Sequence, residues 1–474
     1  MKKNLYKLSA LTLVIAGLLG GCASPAPRYE RPEAPVPQAW SDAVQVVTGL
    51  PAASSLGWQD VVADARLREV IALALANNRD LRVALLTIEQ ARATYGIQAA
   101  AQRPTLNANG GMSAARTPAE ASSSGQATLS RQYTAGLGVT AYELDLWGRV
   151  ASLKDAALES FLNTEEAQRS TRLSLVAETA TAWLTLASDR QQLALARRTL
   201  QSQQETWTLT ERRRALGAVS GLTLAQTQTA VETARGNVAL FESQVQRDRN
   251  ALDLLVGRQV PDALLPADDA APAATVLVAV PEGLPSTVLQ RRPDVRAAEH
   301  LLIAAHADIG AARAALYPRI SLTASAGTAS RSLGELFQGG AWSFVPSISL
   351  PILDGGAAQT NVRRAEVARD IRLATYDKTL QSAFREVADA LSVRQSLAER
   401  LAAQQALVGA YEQSLALAQA RFQGGADTYL AVLDAQRSLY TAQQALITLQ
   451  LTEQANRVAL YKVLGGGWPA PIDS

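Results

Sequence analysis

Cys22 is the only cysteine in 474 residues, and the residues before it prepare it for one reaction. Leu19-Gly20-Gly21 sets small residues ahead of the thiol, as a lipoprotein signal peptidase requires. Lys2, Lys3 and Lys7 form a positive n-region, and residues 8–19 form a mostly apolar stretch too short to span a bilayer. The expectation is that residues 1–21 are removed and that Cys22 then carries S-diacylglycerol and an N-palmitoyl chain. A lone cysteine allows no disulfide within the chain and no thiolate metal site. Ala23 follows it, where Asp would favour retention at the inner membrane, so the expected destination is the outer membrane.

Other chemistry is hard to find. His300 and His306 are the only histidines, and a six-residue step puts them on different helix faces, unlike an i, i+4 metal pair. No Gly-rich loop ends in Lys-Ser or Lys-Thr, so no P-loop is present. Gly465-Gly466-Gly467 reads as a helix stop. The residues argue against an enzyme, against a cofactor other than the lipid, and against any energy source of the chain's own.

The formal net charge is +2, and removing the three signal lysines leaves it near −1. No basic run resembles a nucleic-acid footprint. Beyond residue 21 no apolar run reaches 18 residues, so a membrane crossing would have to use β-strands.

The elements that must position anything occur twice. Asp80-Leu81-Arg82 recurs as Asp294-Val295-Arg296, an offset of 214, which also matches Gly96 with Gly310 and Pro104 with Pro318. At an offset of 208, Glu178 meets Glu386, Gly217 meets Gly425, Gln228 meets Gln436, Leu252 meets Leu460 and Gly257 meets Gly465. The chain is a tandem duplication. Its expected divisions are a signal at 1–21, a lipid-anchored extended segment at 22–65, a first repeat at 66–257, a Pro-rich connector at 258–293, a second repeat at 294–468 and a tail at 469–474. Each repeat reads helix, β-hairpin (about 104–146 and 318–353), long helix, helix. The proline-free stretches 150–215 and 357–423 would each make a helix about 100 Å long, and 222–256 and 429–464 about 50 Å each. Two of the shorter helices end to end match one long one. Leu433, Tyr440, Ile447, Leu451 and Val458 keep coiled-coil spacing with one heptad break.

The strands alternate. Leu106, Ala108, Gly110, Met112 and Ala114 share one face; so do Ile320, Leu322, Ala324 and Ala326; so do Tyr133, Ala135, Leu137, Val139 and Ala141; and so do Trp342, Phe344, Ile348 and Leu350. Small polar residues fill the other faces. That is the period of a membrane β-strand, apolar to lipid and polar to a lumen. Segments 117–130 and 330–340 fit extracellular loops. Four strands leave two open edges, each costly in lipid. Two chains would make an eight-stranded barrel filled by side chains, whereas three would make twelve strands around an aqueous lumen. The fold class is therefore an α+β membrane protein, its long helical hairpins continuing a barrel as a tunnel.

The motifs complete the picture. They are Gly57-Trp58, Asn78-Arg79-Asp80-Leu81-Arg82, the run from Tyr142 to Arg149 (YELDLWGR), Leu289-Gln290-Arg291-Arg292-Pro293-Asp294, Ile309-Gly310-Ala311-Ala312-Arg313-Ala314, the run from Leu430 to Arg437 (LAVLDAQR) and Leu464-Gly465-Gly466-Gly467-Trp468. In this order, over nearly all of the mature chain, they resemble the TolC-like outer-membrane factors, in the OprM-like lipoprotein branch. The resemblance implies a homotrimeric efflux channel, coupled to a periplasmic membrane-fusion adaptor and an inner-membrane pump and exporting drugs or other small molecules. A type I protein-secretion duct is the alternative within that class. A periplasmic coiled-coil scaffold without a pore is the alternative outside it, and the alternating strands argue against it.

The helix-to-helix turns lie at 216–220 and 424–428, with Gly217 and Gly425 ending the first helix and Ser220 or Thr428 able to cap the second. Leu430 and Asp434, at i and i+4, share a face. By resemblance they form the periplasmic gate, a leucine ring and an aspartate ring in the trimer, with Arg421 as a gate-supporting residue. Thr223 stands where such chains often carry Asp, so a salt bridge from that position is absent.

Overall fold

The computed structural model describes residues 25–40, 57–123, 125–267 and 286–466. Cys22 and the signal lie outside them. The chain runs α1 (Ala65–Asn77), α2 (Arg79–Ala100), β1 (Leu106–Thr117), β2 (Thr128–Glu143), α3 (Arg149–Ala215) and α4 (Gly221–Val256). It then repeats the order from α2 onward as α5 (Pro293–Ala314), β3 (Arg319–Ser330), β4 (Gly340–Ser349), α6 (Ala357–Gln423) and α7 (Tyr429–Val463). Helices α3 and α6 have 67 residues each. No helix among the described residues is long and apolar enough to cross a membrane.

Two compact units form, and each draws on both repeats. The first combines residues up to Glu33 with Thr87–Glu165 and Ala297–Tyr376; the second combines Ala34–Leu86, Glu166–Arg296 and the chain from Asp377 onward.

The first unit holds one antiparallel sheet of order β1-β2-β3-β4. Its register carries single faces across all four strands: Leu106 pairs with Val139, Val139 with Ala324, and Ala324 with Phe344. The opposite face aligns Asn107, Gly138, Ser325 and Ser343 in the same way. Here Ser321 meets Ser347 at 2.8 Å and Ser325 meets Ser343 at 2.7 Å, hydroxyl to hydroxyl. Gly136 pairs with Gly327 because the strands touch there: a Cβ on Gly136 would lie 2.7 Å from the Ala326 carbonyl oxygen. One residue departs from the expected alternation. A bulge between Val139 and Tyr142 puts Ala141 at φ 50°, and Tyr142, opposite Leu322, takes the apolar-face position instead. The extra residue of a bulge shifts the phase of every side chain after it.

The YELDLWGR run is the joint between sheet and helix. Glu143 receives two hydrogen bonds from Arg149 (2.8 and 2.7 Å) and a third contact from Arg319 at 2.9 Å. The Asp145 carboxylate accepts from the amides of Val150 and Ala151 and so caps α3. Trp147 stacks on Tyr317 and donates its indole N–H to the Pro318 carbonyl.

The N-terminal segment is tied down rather than slack. Arg31 grips the Glu299 carboxylate at 2.7 and 3.0 Å, and the Tyr29 hydroxyl donates to it at 2.8 Å. Ala26 lies so close to α5 that a Cβ on Gly310 would stand 2.5 Å from its own. The two histidines join this unit, His300 to Glu159 at 2.6 Å and His306 edge-on to Tyr29.

The second unit packs helices around Leu67, Val70, Ile71, Val176, Trp183, Leu186, Leu252 and Val458. The single helix expected at the start of the first repeat, from residue 66, is broken at Asn78. Its side chain accepts from the Leu81 amide, starting α2, and donates to the Leu255 carbonyl at the end of α4 (2.8 Å each). Arg292 occupies the same place in the second repeat. It donates to the Val463 carbonyl at the end of α7 (2.9 Å), and also to Asp294 and Glu386. Each repeat is thus latched, from the residue before the helix that leads into its hairpin to the last turn of its last helix. Trp40, from the N-terminal segment, stacks on Phe384 and is buried.

Candidate functional site

The two helix-to-helix turns belong to the second unit and are built alike. Gly217 (φ 72°) and Gly425 (φ 75°) take the left-handed backbone that closes α3 and α6. The amide of Ala218 donates to the Arg213 carbonyl, and that of Ala426 to the Arg421 carbonyl, at 2.9 Å each. The starts of the following helices differ. Ser220 caps α4 through a bond from the Thr223 amide (3.1 Å), whereas Thr428 makes no side-chain cap on α7. The Thr223 hydroxyl lies 3.0 Å from that of Ser220 and stays within the turn.

Beyond the second turn, α7 is sharply two-sided. Tyr429, Val432 and Leu433 are buried against Phe422, Leu415, Ala418 and, from α4, Ala230. Burial without a partner pushes the Tyr429 hydroxyl up to about 12. Leu430 is 49% exposed, and Asp434, one turn on, is exposed as well. Asp434 has no hydrogen-bond or ion-pair partner among the described residues. A bare leucine and an unpaired carboxylate on one face suit a constriction: the first excludes hydrated solutes, and the second holds cations or repels its own copies.

Arg421 does not reach α7. Its Nε lies 2.6 Å from the Asp427 carboxylate, which closes the turn on itself. Asp427 was not among the residues the sequence pointed to; its signal is that its counterpart in the first repeat is Val219.

The sheet supplies the rest. Its apolar face is bare, with Met112, Leu137, Trp342, Phe344 and Ile348 all exposed. Strands β1 and β4 are each paired on one side only. A bare apolar sheet with two open edges is the subunit of a membrane β-barrel.

The comparisons with known proteins agree with that class. The outer membrane efflux protein family matches residues 70–258 and 284–466. A probable efflux pump outer membrane protein of Pseudomonas putida, TtgC, is 44% identical over 476 residues, covering 99% of this chain and 96% of its own. The outer membrane protein OprJ of Pseudomonas aeruginosa is also 44% identical, covering 99% and 97%. Among solved structures, the open state of the Neisseria gonorrhoeae MtrE outer membrane channel superposes with a TM-score of 0.83 at 36% identity, covering 94% of this chain and 98% of that one. The chain belongs to the outer membrane efflux protein family. It is an efflux channel subunit of the outer membrane.

Proposed function

We propose that three copies close their sheets edge to edge into a twelve-stranded barrel and line up their helices as its periplasmic continuation. The observation that carries this reading is the four-stranded sheet, apolar on one face, polar on the other and open at both edges. In lipid each unpaired edge amide or carbonyl costs several kcal/mol, so closure is obligatory. Two copies leave no lumen; three do. The Ser, Thr, Asn and Gly of the other face then line the pore and pass small solutes without strong selection. The chain is a passive conduit and not an enzyme. An energised inner-membrane pump, joined through a periplasmic adaptor, drives drugs or other small molecules into it. Lipid on Cys22 fastens the N-terminus to the outer membrane.

Leu430 and Asp434 form the periplasmic gate, and Arg421 with Asp427 holds the turn beside it. Opening swings α6 and α7 apart, as a small rotation of paired helices. Single-channel conductance in planar bilayers tests this. The wild type should conduct weakly, and Leu430→Ala/Asp434→Ala several-fold better. A wild type that already conducts fully would move the gate elsewhere. Folded, inserted protein without conductance in either form would remove the pore.

A further inference from the structure

Helix α3 presents two faces in the second unit. Val176, Ala180, Trp183 and Ala187 are buried in the core that α1 also joins. Glu178 and Thr185, two residues on from Val176 and Trp183, point to the opposite side. There α3, α4 and α7 line a cavity of about 520 Å³, a volume that suits a small organic molecule. Its walls are mainly apolar, with Ala182, Leu255 and Val458 among them. The charged side chains that line it are Glu178, Asp248 and Lys462. Glu178 and Lys462 offset one another, so Asp248 sets the balance.

Asp248 lies beside Asp189 of α3, and burial together with this neighbour keeps a proton on Asp189 up to about pH 7. One oxygen of Asp248 accepts from Gln244 at 2.9 Å. The other is buried and has no hydrogen-bond partner among the described residues. Arg247, whose charge acts on Asp189, donates to Gln244 and pairs with neither carboxylate. The fold does not need acids at this place. At an offset of 208 the second repeat has Leu397 and Asn456 instead of Asp189 and Asp248. Leu397 is buried, and Asn456 donates to the Ala390 carbonyl. Two adjoining carboxyls without a salt bridge are costly where a neutral pair would serve, and a cation in the cavity would offset that cost.

We propose that this cavity binds an amphiphilic organic cation, its apolar body between α3, α4 and α7 and its charged group beside Asp248. In the channel reading this is a stop for cargo on the wall of the passage; the binding itself does not depend on that reading. Below about pH 7 the two aspartates carry one negative charge, and above it two. The cation is therefore held more tightly at the higher pH, and its arrival near neutrality expels a proton.

The test titrates full-length protein in detergent micelles into ethidium, followed by fluorescence anisotropy with empty micelles subtracted. Affinity should rise several-fold from pH 6 to pH 8. Asp189→Asn fixes the charge of the pair and should hold the affinity at its pH 6 level throughout. Asp248→Asn should weaken binding at pH 8 about tenfold. Ala251→Trp, at an exposed position that lines the cavity, fills the space without altering a charge and should abolish binding. Undiminished binding in either of the last two variants overturns the proposal. So does an unchanged pH profile in Asp189→Asn, or equal affinity for the anion 1-anilinonaphthalene-8-sulfonate. Conductance of the same preparations reads the pore separately. A wild type that binds ethidium as described but does not conduct sinks the channel reading alone; one that conducts, while its ethidium binding ignores Asp248 and Ala251, sinks the cavity proposal alone.

Discussion

Asp189 on α3 and Asp248 on α4 show how a single proton acts on stability. Burial first, and the neighbouring carboxyl of Asp248 second, push Asp189 from its ordinary 3.8 up to about 7. The fold therefore holds that proton more tightly than the unfolded chain does. Its stabilising contribution is full below about 4 and is lost as the pH rises through about 7. Asp189→Asn keeps the uncharged state at every pH. Thermal unfolding followed by circular dichroism should show a higher Tm for the variant at pH 8 and nearly no difference at pH 4. Arg292 is the opposite case, a buried cation bonded to Asp294, Glu386 and the Val463 carbonyl. Arg292→Ala leaves the Val463 carbonyl without its donor, and it should cost about 1–3 kcal/mol in the same measurement.

Among the elements, the sheet is the least forgiving. Gly327 faces Gly136 with no room for a side chain, since a Cβ on it would overlap the Ala135 carbonyl. Gly327→Val should cost about 2–3 kcal/mol by overpacking and splay β2 from β3. Its readout is the fraction of protein that migrates as a heat-labile oligomer on a mild SDS gel, expected to fall sharply. The helices and strands were legible because each keeps its period over many residues, and the turns because glycine marks the left-handed position. Two features were not. The bulge at Ala141 carries no turn residue to announce it, and the bend at Asn78 hides in a proline-free run, because asparagine ends one helix and starts the next through tertiary bonds. At the candidate site, Leu430 and Asp434 stood out by their i, i+4 spacing together with a family likeness. Asp427 did not, since an ion pair that spans a turn has no period to reveal it.

For the whole molecule, the duplication visible in the sequence is also a structural rule. Asn78 and Arg292 occupy one position of the repeat and bond to the carbonyls of Leu255 and Val463, which again occupy one position. Each half therefore brings its own beginning to its own end. Cutting the connector between residues 267 and 286 and expressing the halves as two chains should still give a conducting channel, measured as conductance of the co-purified pair. A Pro-rich connector that carried essential contacts would instead abolish it.

A half that ties its own ends together is heritable by itself. A gene of half this length would already encode a hairpin, a helical pair and the bond that shuts them. Fusing two copies added the freedom for corresponding positions to drift apart. One copy carries an arginine and its acid at the turn; the other carries valine in the acid's place and two further arginines. Two turns that began as copies now differ in charge, so the halves are no longer interchangeable there.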